Sequence, residues 1–99
     1  MKPRVSKQQY RSELGIISAI LQVTMDCGRR GAIVSWIARR ANLSHYAVIE
    51  KCEKLINAGL VESTSNHRNH TFVITEKGIR FSQQMQEFAE MAQAIKIRY

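Results

Sequence analysis

Cysteine is scarce in this chain: two residues, Cys27 and Cys52, in 99. Two are too few for a disulfide framework, and their separation matches no metal-ligand spacing. Both are expected as free thiols, Cys52 on an apolar helix face and Cys27 near a loop. Long apolar runs are missing as well. No stretch approaches the ~18 apolar residues of a membrane span, and no apolar segment follows the basic N-terminus as it would in a secretion signal. The expected setting is the cytoplasm, without a membrane partner. Internal repeats and low-complexity segments are absent, and the length is that of one domain. Catalytic signatures are lacking too. Ser44 beside His45 has no third, orienting acid and no glycine-rich elbow, so a nucleophilic enzyme is not indicated. His67 and His70 flank a polar turn with no cysteine nearby, a weak donor set for a metal. No cofactor and no small-molecule pocket can be argued from the pattern.

Acidic residues are also few, eight against fifteen lysines and arginines, for a net charge of +7. The excess is uneven. Residues 1–40 carry Lys2, Arg4, Lys7, Arg11, Arg29, Arg30, Arg39 and Arg40 against Glu13 and Asp26, a balance of +6. Residues 41–99 hold seven basic side chains against six acids, a balance of +1. A polyanionic partner is the first implication. A basic surface that serves only solubility is the plainer alternative.

What is present is a run of well-punctuated elements. Ser6-Lys7-Gln8-Gln9 fits a capping box, and Val5 with Tyr10 fits a hydrophobic staple. A first helix is expected over about 7–26, with Leu14, Ile17, Leu21 and Thr24 on one face, ended by Cys27-Gly28. A second helix is expected from Ile33 to Ala41, with Val34, Ile37 and Ala41 inward and Ser35 and Arg39 pointing away. Trp36 and Arg40 are one turn apart, so the guanidinium can lie on the indole. Asn42-Leu43 interrupts the pattern, and Ser44 is a good N-cap for a third helix from His45 to about Ala58. Val48, Cys52 and Leu55 form its apolar stripe, and Gly59 stands where a left-handed cap is expected. The period then changes to two. Residues 60–64 and 71–74 read as strands joined by a polar tip, with a further short strand possible near Gly31–Ile33. Thr75 caps a last helix running to about Arg98.

Two helices joined by a tight turn and followed by a hairpin form a winged helix-turn-helix arrangement. The expected fold is therefore α+β, mainly helical, with a long C-terminal dimerisation helix. The stretches "RSELGIISAIL", "ARRANLSHYAVIEKCEKLINAGLVE" and "FVITEKGIRF" resemble the winged-helix DNA-binding family common in archaea and their viruses, over roughly residues 10–90. Asn-Leu-Ser before the third helix, Ala-Gly-Leu-Val-Glu after it and Ile-Thr-Glu-Lys-Gly after the wing carry the likeness. The resemblance implies double-stranded DNA binding by the third helix and wing, in a transcription regulator or a nucleoid-associated, chromatin-type protein. It also implies dimerisation through antiparallel C-terminal helices. The sequence departs from that pattern at Lys51, where an aromatic residue is usual. Seven glutamines and four asparagines do not suggest a hyperthermophile.

In the third helix, positions advance by ~100° per residue, which puts Tyr46, Glu50, Glu53 and Asn57 outward with Lys54 beside them. Three accounts of the acids stay open. Glu50 and Lys54 form an i,i+4 pair on a solvated helix; or Glu50 accepts from a cytosine amino group; or the helix docks on a protein. In each, Ser44, His45 and Tyr46 form the tip. The positive charge that grips phosphate then falls to Arg29 and Arg30 in the loop, Arg39 and Arg40 on the second helix and the N-terminal arm. Arg68 at the wing tip, with His67 and His70 flanking it, suits a minor-groove or backbone contact, and Ser35, Lys54 and Asn69 complete the expected DNA-binding set. Arg39 and Arg40 also suit the negative pole of any helix end.

Phe81, Met85, Phe88, Ala92, Ile95 and Tyr99 recur at heptad spacing. That seam outlasts what a small domain can cover, and a homodimer is expected. Residues 1–75 would form the DNA-binding head with its basic arm, and 76–99 the dimerisation helix. The alternative is a winged helix that mediates protein contacts in a transcription complex without sequence-specific DNA binding of its own.

Overall fold

The computed structural model describes residues 12–65 and 70–96. Its first helix, α1 (Glu13–Cys27), starts at a serine: Ser12 is extended and its hydroxyl accepts from the Gly15 N–H at 2.9 Å. Among the described residues α1 begins at Glu13, where the sequence pattern expects a helix from about residue 7, and the extended Ser12 is its cap. The Ser6–Gln9 capping box and the Val5–Tyr10 staple lie outside the described residues. A 3-10 turn over Gly28–Arg30 leads into β1 (Ala32–Ile33), the short strand anticipated near Gly31, and then α2 (Val34–Ala41).

The α2 helix stops where Asn42 takes a left-handed conformation, φ 58, which asparagine tolerates better than most residues. The Leu43 N–H then bonds back to the Ala38 carbonyl at 2.9 Å. Ser44 opens α3 (His45–Asn57), its hydroxyl accepting from the Ala47 N–H at 3.0 Å. The break in the apolar pattern is thus two capped helices with three residues between them. At the far end Gly59 has φ 80. Its N–H reaches the Ile56 carbonyl, and the Leu60 N–H reaches that of Leu55, both at 2.9 Å. This is a Schellman closure, and it returns Leu60 onto Leu55 in the core.

Strands β2 (Val61–Ser65) and β3 (His70–Ile74) follow, one residue longer toward the tip than the sequence pattern indicates. The sheet order is β1-β3-β2, antiparallel throughout, with Phe72 opposite both Ala32 and Ser63. The Thr64 and Thr71 hydroxyls, 2.6 Å apart, tie the hairpin across its outer face. Thr75 then caps α4 (Glu76–Ala94) by accepting from the Gly78 N–H, and its hydroxyl donates to the Gly59 carbonyl at 2.7 Å. The helix ends earlier than the expected Arg98. Ile95 is its cap and Lys96 is left-handed, φ 62.

One core ties these elements together. Ile20 and Leu21 of α1, Ile37 of α2, and Val48, Cys52 and Leu55 of α3 are almost fully buried, with Leu60, Val61 and Phe72 closing the layer against the sheet. Each large aliphatic side chain buried in this way contributes about 1.5–3 kcal/mol. Burial also pushes the Cys52 thiol up to about 12, so it behaves as an apolar filler. Both cysteines are free.

Candidate nucleic-acid interface

The α3 helix divides sharply. Val48, Cys52 and Leu55 lie within 2% of full burial, while Tyr46 is 76% exposed on the other side. Ser44, His45, Glu50 and Glu53 share that exposure. Ile49, at 46%, flanks the face. The Ser44 cap fixes where the helix starts and therefore which side chains form its tip. Tyr46 and Glu50 lie one turn apart on this exposed side of α3, with Ser44 and His45 exposed at its start.

Lys54 behaves differently. Its ammonium lies 2.6 Å from a carboxylate oxygen of Glu13 on α1, and Lys51 reaches the same oxygen at 3.2 Å. Of the three accounts of the α3 acids, the close Glu50–Lys54 pair is not the one formed: the α1 carboxylate offers two lysines a shared partner, and Glu50 acts on Lys54 only through space. Hydrogen bonds from Lys54 and then Lys51 hold the Glu13 carboxyl below its ordinary range, and the same contact raises Lys54. The sequence pattern does not mark Glu13 as part of any site. The clue lies in Lys51, a cation at an otherwise inward position that calls for a carboxylate on the neighbouring helix.

On α2, Ser35, Arg39 and Arg40 are all exposed. The Arg40 guanidinium lies over Trp36, 5.3 Å from the ring centroid, a cation–π contact that orients an exposed arginine. Arg29 and Arg30 are exposed in the 3-10 turn before β1. Arg30 also borders an open groove with Asp26, Cys27, Ile33, Trp36 and Thr71, a concavity the sequence pattern does not reveal. His67, Arg68 and Asn69, and the arm residues Lys2, Arg4 and Lys7, lie outside the described residues. His70 is exposed at the start of β3. Among the described residues no group of histidines, cysteines or acids could hold a metal ion, and no helix is long and apolar enough to cross a membrane.

The six seam positions of α4 separate. Phe81 is partly buried against the core, and Met85 and Ala92 are 8% and 5% exposed within the single chain. Phe88 and Ile95 are 49% and 61% exposed, joined by Met91 at 65%; Tyr99 lies outside the described residues. Met91 is not among the expected seam residues. It is three positions after Phe88 and four before Ile95, so a second apolar stripe beside the first would have found it.

A family model for the winged helix-turn-helix matches residues 10–93. Among solved structures, Sso10a-2, a DNA-binding protein from Sulfolobus solfataricus, superposes with a TM-score of 0.76 at 16% identity, over 87% of this chain and 86% of that one. AF1382 from Archaeoglobus fulgidus gives 0.67 at 18% identity, over 87% and 96%. A MarR-family transcriptional regulator from Rhodococcus gives 0.74 at 20% identity, over 82% of this chain and 58% of its own. At such identities the likeness is one of fold. No curated protein matches the chain by sequence.

Proposed function

Because this chain belongs to the winged helix-turn-helix family, we propose that it is a homodimeric double-stranded DNA-binding protein, a transcription regulator or a chromatin-type binder. One observation carries the reading: the outward half of α3, with Ser44, His45 and Tyr46 at its tip, is exposed, and so are Arg39 and Arg40 on the preceding helix α2 and Arg29 and Arg30 in the turn before β1. A helix of this diameter fits the major groove, and flanking arginines supply phosphate contacts that set affinity and salt dependence. On their sequence alone, His67, Arg68 and Asn69 between β2 and β3 are assigned further DNA contacts. The solved DNA-binding protein of the same fold supports this reading by analogy.

Dimerisation is assigned to α4. Phe88, Met91 and Ile95 form an exposed apolar row on one side of the helix, and such a row is covered most economically by a second copy. The head would comprise residues 1–75 and the dimerisation helix 76–99, with the first turns of α4 shared between them. The exposed Glu50, Glu53 and Ile49 favour a second reading, in which α3 docks on a protein. A gel shift with random and genomic duplex at two salt concentrations separates these. Equal binding to both DNAs supports a chromatin-type role, and selective binding supports a regulator. No shift at either salt removes the DNA-binding reading in favour of protein docking.

A further inference from the structure

Lys54 has two carboxylates to choose from. Glu50 lies one turn before it on the same helix, an arrangement that pairs readily, and Glu13 lies across on α1. The ammonium goes to Glu13 at 2.6 Å, where Lys51 also arrives at 3.2 Å. These are the only two lysines of α3, and both are committed to the α1 side. Glu50 is left exposed on the outward face near Tyr46, with no ion pair among the described residues.

A carboxylate there that makes no ion pair, and feels Lys54 only through space, repels phosphate, but it discriminates between base edges. In the major groove cytosine presents its N4 amino donor. Guanine presents two acceptors and thymine an acceptor with a methyl group, while adenine sets its amino donor beside the N7 acceptor. A carboxylate is therefore matched by cytosine and opposed by guanine. Resting on the DNA-binding reading above, we propose that Glu50 reads a cytosine amino group in the major groove. Glu13 is the positioning residue that keeps Glu50 available by holding Lys54 away from it. Without Glu13, Lys54 turns to Glu50 and competes with the base.

The test is selection from a randomised duplex pool with the full chain as wild type, Glu50→Ala, Glu13→Gln, and Glu13→Gln combined with Lys54→Gln. The substituted side chains are all exposed, and circular dichroism verifies that each variant keeps its helices. The wild type is expected to select cytosine at one position of its site, and Glu50→Ala to lose about tenfold of that discrimination at that position alone. Glu13→Gln is expected to lose about twofold, the strength of an i,i+4 pair. The double variant is expected to regain it, which a merely structural role for Glu13 would not produce. An unaltered preference in Glu50→Ala, or a Glu13→Gln profile identical to wild type, overturns the proposal. So does a uniform affinity gain in Glu50→Ala with no base position changed, and in these cases DNA binding itself still stands. Failure of the wild type and every variant to bind any duplex overturns the proposal together with the DNA-binding reading.

Discussion

At the scale of single residues, the contact least visible in the sequence is the one Glu13 makes with Lys51 and Lys54. Its partners are 38 and 41 positions away, so no local spacing points to it. It is exposed, and pairs of this kind contribute little in water; its consequence is where it leaves the α3 charges. Its pH dependence has a definite sign. The Glu13 carboxyl is lowered from its ordinary 4.5, so its contribution is full above that value and is lost as pH falls through the lowered one. Lys54 is raised from 10.5, so at the alkaline end the contribution persists to that pH and is lost as pH rises beyond it. The difference in melting temperature between wild type and Glu13→Gln is therefore expected to stay flat through neutral pH and to close as pH falls below the ordinary 4.5 and through the lowered value. A difference that grows on acidification would contradict the pairing. Other residues are legible from the sequence because their partners are local. Ser44, Gly59 and Thr75 each serve a backbone group within a few positions, and Arg40 lies on Trp36 one turn away. Ser12, which the sequence pattern does not single out, caps α1 through the Gly15 N–H three positions on.

At the scale of elements, the order of helices and strands follows from caps and period alone. The end of α4 does not, because the heptad pattern of its side chains continues past the point where the backbone turns at Ile95 and Lys96. Pattern reports which face is apolar and does not report whether the ladder of hydrogen bonds persists. The junction between wing and α4 is closely packed. A Cβ on Gly78 would collide with the Leu60 carbonyl oxygen and come within 2.7 Å of the Ile74 side chain. In an open helix, Gly→Ala would gain about 1 kcal/mol. Here the collision is with backbone, which cannot rotate aside, and overpacking costs about 1–3 kcal/mol. Gly78→Ala is expected to lower the melting temperature despite its better helix propensity, and a stabilised variant would show that α4 does not pack this closely on Leu60. The α4 seam is legible as a period. The split between covered Met85 and Ala92 and open Met91 depends on neighbours that the sequence of one helix cannot supply.

At the scale of the whole molecule, two surfaces remain to be matched with partners. The row of Phe88, Met91 and Ile95 on α4 is assigned to a second copy. Replacing Phe88 and Met91 together by glutamate puts two like charges into that row and leaves buried Met85 untouched. The double variant is expected to sediment at half the mass of the wild type with its helix content retained. A wild type that is itself monomeric, or a variant that stays dimeric, would remove α4 from the interface. The other surface is the exposed outward face of α3, taken with the exposed arginines of α2 and of the turn before β1. Charge imbalance and the two-helix pattern make it legible, although the lysines of α3 prove to be engaged on the other side. The most direct measurement of the central claim is the salt dependence of duplex binding by the wild type and by Arg39→Ala combined with Arg40→Ala. The wild type is predicted to bind random duplex with log affinity falling linearly in log salt. The double variant is predicted to bind more weakly at every salt concentration, with a slope shallower by about 0.9 for each phosphate left without its arginine. Identical slopes and affinities for the two proteins would contradict DNA binding through the α2–α3 face.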